Sequence, residues 1–144
     1  MALVVMAAGT AAAKAPRFAV IADPHFYDTD LGTTGVAFET YLMQDRKMLR
    51  ESEAILVSAI QKIKAQKPDF VIIPGDLTKD GELSSHEKFA SYLEELEAVG
   101  IRVYVVPGNH DVNNPHAYAY SGDAVSHTEN VSPEKFAEIY AAYG

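Results

Sequence analysis

IRVYVVPGNHD, residues 101–111, is the stretch whose reading decides the fold. Val105 and Val106 are β-branched residues that belong in a buried strand, and they run straight into Pro107 and Gly108, which end it. Three polar side chains follow at once: Asn109, His110 and Asp111. Working outward, the same form occurs twice more, as DFVIIPGD at residues 69–76 and RFAVIAD at residues 17–23. A short apolar run closed by an acid suits a strand buried in a parallel sheet.

The intervals between these runs are helical in pattern. Residues 44–66 place Met48, Leu49, Ile55, Leu56, Ala59, Ile60 and Ile63 at helical spacing, with charges on the other side, which predicts a helix with one buried face. Before the third run, Ser84-Ser85-His86-Glu87 reads as a capping box, in which serine oxygen and glutamate satisfy free backbone N–H groups. Phe89, Tyr92, Leu93, Leu96 and Val99 then form an apolar stripe, and Gly100 is a C-terminal stop. This reading puts His86 in a surface turn, and Asp80, Gly81 and Glu82 in a turn after Asp76.

Strand, helix, strand, helix, strand is the mark of right-handed βαβ units, so the fold class is α/β with a βαβαβ parallel sheet. Ser132-Pro133-Glu134 starts a further helix, with serine at the cap and proline in the first turn. The long polar segment 24–43 is expected to be a mobile loop over the site. Tyr118, Tyr120, Tyr140 and Tyr143 are expected to be packing or rim residues rather than a base-stacking platform, and His116 and His127 to be solvated loop residues.

Composition narrows the chemistry. The 144 residues suffice for one ordinary domain, and 48% hydrophobic with 22% charged residues is globular. A formal net charge of −8 at pH 7 argues against a nucleic-acid-binding face, which needs clustered Lys and Arg. An anionic substrate would then need local positive charge, and a metal could supply it. With no cysteine, any metal must be held by Asp, Asn or His. Residues 1–15, MALVVMAAGTAAAKA, resemble the tail of a secretory signal: an apolar run grading into small residues, too short to span a membrane. Export to the periplasm, cell surface or medium is the expected localisation.

In a parallel sheet the carboxyl ends of the strands share one edge, where ligand sites gather. Asp23 and His25 follow the first strand, Asp76 the second, and Asn109, His110 and Asp111 the third. Carboxylates, neutral imidazoles and an amide oxygen together suit divalent cations. Asp23 and His25, two residues apart on an extended segment, would point to the same side. Gly75 and Gly108 would allow the tight turns that aim Asp76 and Asn109 inward. No Gly-rich phosphate loop follows Ile21 or Ile73, which disfavours a doubly wound nucleotide-binding domain.

Asp23-Pro24-His25, Gly75-Asp76-Leu77-Thr78 and Gly108-Asn109-His110-Asp111, in that order and each after a strand, resemble the calcineurin-like metallophosphoesterase family. The resemblance implies a βαβαβ half of an α/β sandwich and two metal ions (Mn, Fe or Zn). It makes Asp23 and His25 ligands of the first ion, Asp76 the bridge and Asn109 a ligand of the second. His110 would contact the phosphate and protonate the leaving oxygen, and Asp111 would orient its imidazole. The implied reaction is hydrolysis of a phosphomonoester or phosphodiester by hydroxide held between the two ions. The run Gly-Asp-Leu-Thr-x-x-Gly-Glu at residues 75–82 resembles the phosphodiesterase branch.

Family members add further histidines, including Gly-His-x-His, after additional strands, whereas the resemblance here covers residues 17–111. Residues 16–144 are accordingly expected to be the N-terminal part of such a domain, weakly active or inactive alone. The half-sheet should leave an apolar face open, with self-association or poor solubility as the result. The alternative is a non-catalytic half-domain that binds a metal or a partner.

Overall fold

The computed structural model describes residues 14–144; the proposed leader therefore lies almost wholly outside the described residues. The element order is β1 (Phe18–Val20), α1 (Val36–Gln44), α2 (Ser52–Gln66), β2 (Phe70–Pro74), α3 (Leu83–Glu97), β3 (Arg102–Val106), β4 (Tyr118–Ser121), β5 (Ala124–His127) and α4 (Pro133–Ile139). Strands β1, β2 and β3 form a parallel sheet in that order, with Ala19 opposite Val71 and Val71 opposite Val103. The α/β class and the βαβ alternation expected from the three apolar runs are the observed ones.

Because side chains alternate across a strand, one face of the sheet carries Ala19, Val71, Ile73, Val103 and Val105. These pack into the main core with Leu56 and Ile60 of α2, Phe89, Leu93 and Leu96 of α3, and Phe136 of α4. The other face carries Phe18, Val20, Phe70, Ile72, Tyr104 and Val106. Here Phe18 stacks on Phe70 at 5.4 Å and Phe70 meets Tyr104 at 6.0 Å, yet Phe18, Val20 and Val106 remain 58%, 53% and 55% exposed. Among the described residues, helices cover one side of this sheet only. Among the described residues no helix is long and apolar enough to cross a membrane.

Several local expectations are corrected. Residues 44–66 are not one helix: α2 begins at Ser52, after a 3-10 turn at Leu49–Glu51, and Met48 and Ile55 are exposed. Segment 24–43 is not a loose loop. It holds a 3-10 turn at Thr29–Leu31 and α1, and its Tyr27 and Phe38 are fully buried in a second small core with Leu49 and Tyr120. Two aromatic side chains inside a polar-looking stretch supply the burial that composition alone conceals.

The capping box does not form either. Helix α3 starts two residues earlier, with Glu82 at the cap and Leu83 first, so both serines lie inside its first turn. Ser85 Oγ instead accepts a hydrogen bond from the Asp28 backbone N–H at 3.0 Å, tying α3 to the loop after β1. Val99, expected on the buried stripe, is exposed beyond the end of α3. At α4 the expectation holds: Ser132 Oγ accepts from the Lys135 N–H at 3.2 Å, with Pro133 in the first turn. Tyr120, Tyr140 and Tyr143 are buried, as their packing role requires.

Candidate metal centre

The loops after β1 and β2 continue side by side beyond the strands. His25 N–H donates to the Asp76 carbonyl at 3.0 Å, Phe26 N–H to the Leu77 carbonyl at 2.9 Å, and Lys79 N–H to the Phe26 carbonyl at 2.8 Å. This extra pairing sets His25 beside Asp76. Asp23, His25 and Asp76 have φ values of +49°, +42° and +49°, a left-handed conformation that costs a non-glycine residue strain energy and concentrates at functional sites. The segment from Asp23 to His25 is thus not extended, and the same-side argument for the two side chains fails there.

The β3 tip joins through two glycines. Gly75, at φ +94°, lies so close to Gly108 that a Cβ on it would sit 2.9 Å from the Gly108 Cα. A Cβ on Gly108 would fall 2.2 Å from Asp76 Oδ1 and 2.3 Å from the Asp76 backbone nitrogen. Gly108 is therefore needed for close approach rather than for a turn: the Asp76 carboxylate occupies the space its side chain would fill. Asp76 Oδ1 also accepts from the His110 backbone N–H at 3.1 Å.

His25, Asp76 and His110 come together, each offering a donor atom within 4.8 Å of the others. The two imidazoles meet edge to face at 4.9 Å, and His25 Nε2 lies 3.8 Å from Asp76 Oδ2. Burial, the Lys47 ammonium and the His110 imidazole hold His25 below its ordinary pKa against the opposing pull of Asp76, so near neutrality it is the uncharged base a cation requires. Its Nδ1 is buried and has no hydrogen-bond partner. Two imidazoles and a carboxylate with an unused buried nitrogen fit a first-row divalent ion. Asp23 and Asn109 are exposed, and the Asp23 carboxylate lies outside this three-residue group. His116 and His127 are exposed and outside it too.

Asp111 is not placed as expected. It is fully buried: Oδ1 accepts from the Thr78 N–H at 2.9 Å and the Thr78 hydroxyl at 3.2 Å, and Oδ2 accepts from the Gly108 N–H at 2.7 Å. The carboxylate braces the β2 tip against the β3 tip and makes no hydrogen bond to the His110 ring among the described residues. Asp80 does that instead, its Oδ1 lying 2.8 Å from His110 Nδ1. Since a carboxylate only accepts, Nδ1 donates, which leaves His110 Nε2 as the nitrogen with a free lone pair. Asn114 Nδ2 donates to the same Asp80 oxygen and to the His110 carbonyl, both at 3.2 Å.

His86, expected at the surface, is fully buried. Its Nε2 donates to the Asp111 carbonyl at 2.9 Å and its Nδ1 lies 2.9 Å from the Tyr140 hydroxyl; burial pushes its pKa down. Asp80 and Glu82, read only as part of a turn after Asp76, are buried as well. Only the alternation of charge in Lys79-Asp80-Gly81-Glu82 could have marked a buried ionic cluster, and a solvated turn has the same composition.

The three side chains form a group at the carboxyl edge of a parallel sheet that could hold a metal ion. The sequence profile of the calcineurin-like phosphoesterase family matches residues 16–143. The chain belongs to that family. Two relatives match shorter stretches. One, from Synechococcus sp. and named "Probable cyclic nucleotide phosphodiesterase", is 37% identical over 49 residues, 34% of this chain and 18% of the relative. The other, from Arcobacter nitrofigilis and named "Probable glycerophosphodiester phosphodiesterase", is 40% identical over 45 residues, 31% of this chain and 15% of the relative. The matched stretches thus span less than a fifth of either relative's length.

Proposed function

We propose that this chain carries the metal-binding edge of a phosphoester hydrolase, with phosphodiesters favoured over monoesters because both matched relatives bear phosphodiesterase names. The observation that carries the reading is the convergence of His25, Asp76 and His110 on one spot from three strand tips, within the matched family region. His25 and Asp76 would hold a divalent ion, with Asp23 as a further ligand, and Asp76 together with Asn109 would hold a second. Bound there, Mn, Fe or Zn would supply Lewis acidity toward the phosphoryl oxygens and a water acidified toward neutral pH.

The chain's own residues do the remaining work. Gly108 leaves room for the Asp76 carboxylate, and Asp111 locks the two strand tips at fixed separation. His110, with Nδ1 committed to Asp80, presents Nε2 to the phosphoester, where a protonated ring would deliver a proton to the departing oxygen. Burial holds His25 neutral and available as a ligand.

Hydrolysis of p-nitrophenyl phosphate and of its bis ester, with Mn²⁺ or Zn²⁺ restored after chelation, tests the reading. The expected result is weak, metal-dependent turnover, faster on the bis ester, that is lost in His25→Ala. Turnover indifferent to chelation, or unchanged in His25→Ala, would overturn it. Cation binding without turnover would favour the metal-binding half-domain.

The open sheet face bears on how the chain behaves by itself. Phe18, Val20, Tyr104 and Val106 form a contiguous apolar surface, and such surfaces drive association. Self-association of the isolated chain is expected, with a light-scattering mass that rises with concentration and returns to 15.7 kDa in Phe18→Ser/Val106→Ser. A monomeric mass at about 100 μM for the unaltered chain would contradict it.

A further inference from the structure

Beside the centre lies a buried cation that the reading above leaves unused. Lys79 is fully buried, which is rare for a lysine unless it is paired. Its Nζ lies 2.5 Å from Asp80 Oδ2, 3.5 Å from Glu82 Oε1 and 3.4 Å from the His116 carbonyl. Four tyrosine rings surround it: Tyr41 at 4.6 Å, Tyr118 at 5.9 Å, and Tyr27 and Tyr120 at 6.0 Å each. These rings come from the loop after β1, from α1 and from the β4–β5 hairpin, so the ammonium joins three separate pieces of chain. Electron-rich ring faces favour a cation over an isosteric apolar group, most of all away from water.

The two oxygens of Asp80 have divided tasks. Oδ2 receives Lys79, while Oδ1 receives His110 Nδ1 and Asn114. A carboxylate held on one edge by a fixed ammonium cannot rotate, so its other edge stays aimed at the imidazole. We propose that Lys79 is a positioning residue: through Asp80 it fixes the ring orientation and tautomer of His110, so that Nε2 and not Nδ1 faces the phosphoester. The inference rests on His110 having a role at the site, but the device can be read without hydrolysis.

Buried ion pairs cost desolvation, and apolar substitutes are often equally stable. Four rings and two carboxylates around one ammonium are therefore better explained by orientation than by stability. The cage also accounts for the buried Tyr27 and Tyr120 and for the order of α1 beside the centre. Burial pushes the Tyr27, Tyr41 and Tyr120 hydroxyls well above their ordinary range, so the cage walls remain neutral.

Long-range ¹H–¹⁵N correlation spectra of the ¹⁵N-labelled, metal-free chain read the tautomer directly. In the unaltered protein His110 should be the Nδ1–H form. Lys79→Met combined with Glu82→Gln removes the clamp while leaving the formal charge of the cluster unchanged, and His110 should then revert to the Nε2–H form that a free neutral imidazole prefers. If that variant folds, judged by a dispersed amide spectrum, and His110 keeps the Nδ1–H form, Lys79 is structural only and the proposal falls.

Should the double variant not fold, Asp80→Asn retains Glu82 as a partner for Lys79. The Lys79 ammonium signal must then be visible at neutral pH in the unaltered chain and must shift in Asp80→Asn; absence of the signal or of the shift overturns the proposal. In hydrolysis, loss of the clamp should lower kcat by about 10- to 100-fold with KM nearly unchanged, as for other residues that orient a functional group. A loss carried by KM would place Lys79 in substrate binding and overturn it. Positioning confirmed without any phosphoesterase turnover would instead remove the hydrolytic reading and leave this one standing.

Discussion

Gly108→Ala is expected to abolish divalent-cation binding by the centre. The new methyl would sit 2.2 Å from Asp76 Oδ1, 2.3 Å from the Asp76 backbone nitrogen and 2.9 Å from its Cγ. A flexible side chain could swing away from such a clash, but a backbone nitrogen cannot, so the tips of β2 and β3 must separate. Separation also pulls at the Gly108 N–H to Asp111 bond at 2.7 Å and the His110 N–H to Asp76 bond at 3.1 Å. Overpacking of this kind costs about 1–3 kcal/mol even when the chain can adjust. The larger consequence falls on the site, because Asp76 moves away from His25 and the two no longer meet at the ion. Calorimetric titration with Mn²⁺ or Zn²⁺ should show affinity reduced by at least about 100-fold. Affinity equal to that of the unaltered chain would mean that the approach of the two strand tips does not shape the centre.

The second large effect is on stability. Asp111→Ala should cost about 3–5 kcal/mol, a sizeable share of the total stability of an ordinary domain. Three donors converge on this buried carboxylate, the N–H groups of Thr78 and Gly108 and the Thr78 hydroxyl, and all would be left in the interior without their acceptor. Hydrogen bonds to a charged group contribute about 1.5–3 kcal/mol each, and a buried donor left unsatisfied carries a further penalty. Equilibrium urea unfolding of both proteins measures the difference. A change below about 1 kcal/mol would show that the brace is dispensable.

These two residues mark the limit of what the sequence disclosed. The three parallel strands were legible because apolar runs closed by Asp23, Asp76 and Asn109-His110-Asp111 repeat one physical form, and buried parallel strands leave few alternatives. That His25, Asp76 and His110 share an edge followed from the βαβ rule alone. Partner assignments did not follow. Whether Asp80 or Asp111 holds the His110 ring depends on how the residues after each strand bend back, and Gly81 at φ +78° turns Asp80 inward in a way that composition does not announce.

The same cause hid the fate of residues 24–43 and 79–82, polar in content yet closed around Tyr27, Phe38 and Lys79. The β4–β5 hairpin had a readable signal in Gly122-Asp123, a two-residue turn between short alternating segments. His86 offered none, since a buried histidine with hydrogen bonds to Thr78, Asp111 and Tyr140 looks the same in sequence as a solvated one.

The central claim is that the tips of β1, β2 and β3 hold a divalent ion, and anomalous diffraction from crystals soaked in Mn²⁺ tests it most directly. The predicted result is a manganese peak at about 2.0–2.3 Å from a nitrogen of His25 and an oxygen of Asp76, lost in His25→Ala. A peak elsewhere on the protein, or none at millimolar Mn²⁺ in crystals whose centre is open to solvent, would contradict it.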